Sequence, residues 1–106
     1  MKDAPEPIRL TLSRKKGFDL QKVSLEANGL TAVNCARPSR WGNPFPVNSE
    51  RNVFEAVEQF KDILETGGIG YLNADNIRRE LRCKNLACWC KTSPCHCDVL
   101  LEIANR

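Results

Sequence analysis

Five of the six cysteines, and the only histidine, fall between Cys83 and Cys97 of a 106-residue chain. Cysteines used only as small core residues would be scattered, because they pack wherever a small hydrophobe fits. Here Cys83, Cys88, Cys90, Cys95, His96 and Cys97 crowd together, while Cys35 stands apart and reads as core. The chain opens Met1-Lys2-Asp3-Ala4-Pro5-Glu6-Pro7, without the apolar stretch of a secretion signal, so a cytoplasmic location is expected. In a reducing compartment such cysteines are not a disulfide framework. A chain this short also builds a small core, which a bound metal would help to hold.

Charge and composition narrow the classes further. Sixteen basic and thirteen acidic residues leave a net charge of +3, too little to imply nucleic acid by itself. Hydrophobic residues make up 42%, ordinary for a globular domain, and no apolar run is long enough to span a membrane.

Residues 1–7 read as a flexible arm and 8–106 as a single domain. Ile8-Arg9-Leu10-Thr11-Leu12 alternates with period two, as a half-buried strand does. Residues 13–30 read as a long connection whose basic tip, Arg14-Lys15-Lys16-Gly17, is taken as a solvated turn. Thr31–Ala36 reads as a second strand. The stripe Val53, Val57, Phe60, Ile63, Leu64 predicts a helix capped by Asn48 or Ser49 and stopped at Gly67-Gly68. A second helix is expected over Asn73–Cys83, burying Ile77 and Leu81 and exposing Arg78, Arg79 and Arg82. A third strand, Asn85–Cys90, precedes a last helix with Ser93 as N-cap and Pro94 at its first position. Strands returning through helices predict an α/β fold: one small domain with a short, mostly parallel sheet flanked by helices, a minimal Rossmann-like arrangement.

Three readings stand for the cysteine cluster. In the first, Cys88, Cys90, Cys95 and His96 bind zinc, with Cys97 or Cys83 as substitutes, because soft sulfur and imidazole donors suit tetrahedral zinc. In the second, Cys95 near a helix start is a thiol nucleophile, and His96 supplies any acid–base chemistry. On this reading the protein is a metal-free enzyme, with His96 facing Cys88 or Cys90 rather than its neighbour. In the third, the cysteines are plain core.

The loop Arg37-Pro38-Ser39-Arg40-Trp41-Gly42-Asn43-Pro44-Phe45-Pro46 cannot be regular structure. Either it is a lid over the core, or Arg37, Arg40, Trp41, Asn43 and Phe45 bind a small anionic or nucleotide-like ligand. A nucleic-acid adaptor using Arg78, Arg79, Arg82 and Trp41 is a further alternative.

Taken together, Ala36–Phe45, Leu86-Ala87-Cys88-Trp89-Cys90 and Cys95-His96-Cys97-Asp98-Val99-Leu100 resemble an uncharacterised bacterial and phage family, domain of unknown function 4326. The resemblance covers most of residues 31–104. It marks Arg37, Trp41, Gly42, Asn43, Pro44, Phe45, Cys88, Trp89, Cys90, Cys95, His96 and Asp98. Ala36 replaces a usual glycine, and Cys97 stands where a small residue is common, which ranks Cys97 below the other cysteines. No activity comes with the resemblance.

Overall fold

A computed structural model describes residues 5–36, 39–45, 48, 52–89 and 95–106. Three short strands, β1 (Arg9–Thr11), β2 (Ala32–Asn34) and β3 (Asn85–Cys88), form a parallel sheet in the order β1-β3-β2. Leu86 pairs with Arg9 on one side and Val33 on the other. Four helices complete the domain: α1 (Leu20–Asn28), α2 (Val53–Glu65), α3 (Ala74–Leu81) and α4 (His96–Ala104). The α/β expectation therefore holds, although "Rossmann-like" reaches no further than the parallel strands and their helical crossovers. None of the described helices is long and apolar enough to cross a membrane.

β3 is buried along its whole length, as the central strand of a parallel sheet should be. Alternation sends Leu86 and Cys88 to one face, where α4 lies on β3 and β1 with α2 and α3 packed against it. Phe60 and Leu64 of α2, Ile77 and Leu81 of α3, and Leu100 and Ile103 of α4 meet there, each 0–4% exposed. Burying each such side chain stabilises the fold by about 1.5–3 kcal/mol. The turn between α2 and α3 depends on Gly68, whose φ is +86° and where a Cβ would lie 2.2 Å from the Leu72 carbonyl oxygen. No L side chain fits there.

The opposite face is different. Asn85 turns towards α1, where its Nδ2 donates to Ser24 Oγ (2.7 Å) and Asn28 Oδ1 (2.8 Å). Its Oδ1 accepts from Ile8 N and Asn28 Nδ2, both at 2.9 Å. Gln21 grips the edge of β2, donating to the Ala32 carbonyl and accepting from the Ala32 amide. Helix α1 is thus docked by amides and a hydroxyl, while its Leu25 stays 49% exposed.

That polar docking explains the largest departure from the sequence reading. Residues 13–30 are not one long connection, because a nine-residue helix occupies half of them. Gln21, Ser24 and Asn28 form a stripe at helical spacing, but a polar one, so an apolar period does not reveal it. Its ends were readable: Asp19 caps Lys22 N, and Gly29 closes the helix at φ 81°. Other boundaries shift too. Helix α2 is capped by Asn52, in a capping box with Glu55, rather than by Asn48 or Ser49. Helix α3 ends at Leu81, and α4 is capped by Cys95 instead of Ser93.

Candidate metal centre

The Sγ atoms of Cys88, Cys95 and Cys97 all lie within 4.8 Å of one another, and each residue is at most 1% exposed. Two elements bring them together. Cys88 ends β3 on the α4 face, Cys95 is the extended N-cap of α4, and Cys97 is the second residue of that helix. The Cys88 and Cys95 sulfurs are 2.9 Å apart. At the cap, the Asp98 carboxylate accepts from the Cys95 amide at 3.1 Å. Sulfur therefore takes the place usually held by a serine or aspartate oxygen.

His96 borders the group. Its Nε2 lies 2.7 Å from the Cys35 carbonyl oxygen, and its Nδ1 lies 3.8 Å from Cys95 Sγ. The ring stands edge-on to Phe60 at 5.8 Å between centroids. Adjacent residues inside a helix would point apart, but Cys95 precedes the first turn. Its extended backbone lets the two neighbours converge.

Arg9 was not among the residues singled out from the sequence. It pairs with Leu86, so its side chain shares the α4 face, 3.3 Å from Asp98 Oδ1. Burial works against its charge, but the Cys88 sulfur, the Asp98 carboxylate and the Cys95 sulfur outweigh it and raise the pKa. The alternation of β1 showed only that Arg9 and Thr11 share a face. The strand order decides that this face looks onto the cysteines.

Cys97 belongs to the centre despite its lower rank in the sequence reading. Hydrogen bonds from Cys35, then Cys88 and Cys95, push its thiol pKa up, and burial adds to them. Cys35 is fully buried core and also Cys97's neighbour. Cys83 is no substitute ligand, since it sits exposed at the far end of β3, at φ 63°. Cys90 and Arg37 lie outside the described residues.

Of the rest of the candidate ligand loop, Trp41, Asn43 and Phe45 turn inward and Arg40 does not. Trp41 is 4% exposed and packs against Tyr71, 5.6 Å between ring centroids. Asn43 is buried, donating to the Ala56 carbonyl of α2 (3.1 Å) and accepting from Phe45 N (2.8 Å). Phe45 packs against the core. Arg40 faces solvent over the Tyr71 ring and reaches Glu80 at 3.9 Å. Of the α3 arginines, Arg78 pairs with Asp75 at 3.0 Å, Arg79 bonds Asn76, and Arg82 is exposed.

Fold and site together define a small parallel α/β domain whose central strand and last helix gather three buried cysteines able to hold a metal ion. Residues 19–106 match the model of the family described as Domain of unknown function (DUF4326), and the chain belongs to that family. No curated protein matches it, and neither does any solved structure.

Proposed function

We propose that this domain is a zinc-binding module in which Cys88, Cys95 and Cys97 hold the ion and His96 Nδ1 closes the tetrahedron. The observation that carries the reading is the convergence of three buried sulfurs on one point. Thiolate-rich sets of this kind suit zinc, and full burial of the sulfurs favours a closed structural site over an open catalytic one. Arg9 supports it by setting a positive charge beside sulfurs that must ionise to bind. Cys90, named from the sequence, is the alternative fourth ligand. Such thiolates persist in a reducing cytosol, the compartment we infer.

The rival reading, a metal-free enzyme with Cys95 as nucleophile, draws on the same Arg9, His96 and helix start. Elemental mass spectrometry of purified wild type, Cys88→Ser and Cys83→Ser separates the two. About one zinc per chain, kept in Cys83→Ser and lost in Cys88→Ser, is the result expected of a tetrahedral site. Zinc in none of them would overturn the proposal. Rapid alkylation of Cys95 at neutral pH would then favour the nucleophile.

A further inference from the structure

Adjacent strands β1 and β3 send the chain to opposite faces of the sheet. From β1 it passes to α1 on the Asn85 face, and from β3 it passes to α4 on the Cys88 face. In open parallel sheets such a divergence opens a crevice outside the carboxyl ends of the two strands, where ligands bind. A cleft of about 270 Å³ lies there, lined by Leu12, Ser13 and Arg14 after β1 and by Trp89 after β3. β2 and β3 make no such divergence, because both lead to helices of the Cys88 face.

The lining is chemically specific. Trp89 is 43% exposed, whereas the other tryptophan, Trp41, is buried. The Arg14 guanidinium lies over the Trp89 ring, 4.4 Å from its centroid. A guanidinium that lies over a ring still has N–H groups with which to grip an anion. Arg14, Lys15 and Lys16 are consecutive and exposed. None of them pairs with a carboxylate among the described residues.

We infer that this cleft binds a nucleotide, its base against Trp89 and its phosphate on Arg14, with Lys15 and Lys16 beside it. The basic tip is then a phosphate-binding segment rather than a solvated turn. The site is separate from the cysteine centre, since Cys88 turns to α4 while Trp89 turns to solvent. It is separate also from the 39–45 loop, which follows β2. A free mononucleotide and a single-stranded nucleic acid offer the same base and phosphate, and salt tells them apart.

Calorimetric titration of the protein as purified, with adenosine monophosphate and with an oligothymidylate of about twelve nucleotides, tests the inference. Saturable binding of at least one probe is expected, weakened about tenfold or more in Arg14→Ala and in Trp89→Ala. Trp89→Phe should retain most of it, and metal content should match wild type in all three variants. Affinity that drops steeply between about 50 and about 200 mM salt identifies a nucleic-acid strand, and a shallow slope identifies the mononucleotide. No saturable binding of either probe overturns the inference. So does wild-type affinity in Arg14→Ala, or binding of inorganic phosphate as tight as that of either probe. Because Arg14 lies on Trp89 and no cysteine lines the cleft, failure here leaves the metal reading standing.

Discussion

The Nε2 atom of His96 lies 2.7 Å from the carbonyl oxygen of Cys35, and this contact sets the chemistry of the ring. A carbonyl can only accept, so Nε2 carries a proton, and in the neutral ring it is Nδ1 that offers a lone pair on the side of Cys95 Sγ, 3.8 Å away. Metal-binding histidines are commonly oriented in this way, with one nitrogen tied to a backbone carbonyl and the other free to ligate. The same bond joins the end of β2 to the start of α4.

Arg9 should matter to the metal more than to the fold. Three thiolates around a divalent cation leave negative charge, which the guanidinium beside Cys88 and Cys95 offsets. In Arg9→Met, zinc affinity measured by chelator competition is expected to fall by roughly tenfold or more. The metal-free variant should melt close to the metal-free wild type. Unchanged affinity would remove Arg9 from the metal's surroundings.

Protons should leave as zinc enters. The ordinary thiol value is near 9, and Cys97 lies well above it because Cys35, Cys88 and Cys95 bond it and burial disfavours its charge. Calorimetry at neutral pH in buffers of different ionisation heat should show net proton release on zinc binding. No release would mean that Cys97 is not a ligand. Without metal, folding favours the protonated thiol, so that contribution to stability is complete below about pH 9 and is lost as the pH rises beyond it. The urea midpoint of metal-free protein should fall over that range.

Asn85 offers a test of the other face. Its side chain uses both donors and both acceptor positions, on Ile8, Ser24 and Asn28. Asn85→Ala would strand the buried Ser24 hydroxyl and the partly buried Asn28 amide, and is expected to cost about 2 kcal/mol in urea unfolding. Zinc content should stay at the wild-type level, because Asn85 begins β3 and the three cysteines gather at its other end. A cost under about 0.5 kcal/mol would show that α1 does not depend on this network.

Where an element buries apolar side chains at a regular period, it was legible in advance. The stripe through Phe60 and Leu64 marked α2, and Ile77 with Leu81 marked α3, because each repeats at the helical period on the core side. Helix α1 escaped for the converse reason: the residues that dock it are Gln21, Ser24 and Asn28, all polar, and of these only Ser24 is buried. The cap of α4 was misplaced because cysteine is not a usual cap. Only its three-dimensional neighbours give the Cys95 sulfur an acceptor's place.

By itself the sequence determined that soft ligands crowd the last quarter of the chain, and that strands and helices alternate as a parallel α/β fold requires. Spacing along a chain is local information, and local information is enough for periodicity and for clustering. The tertiary structure alone decided which members of the cluster meet. Strand order places Arg9 beside Cys88, and the start of α4 swings Cys95 and Cys97 onto the end of β3 while Cys83 is left at its other end. Arg9 stands dozens of positions from the cysteines it meets, and such encounters follow from how the core packs. Neighbours in sequence could not reveal them, because the distance between two side chains depends on every element folded between them.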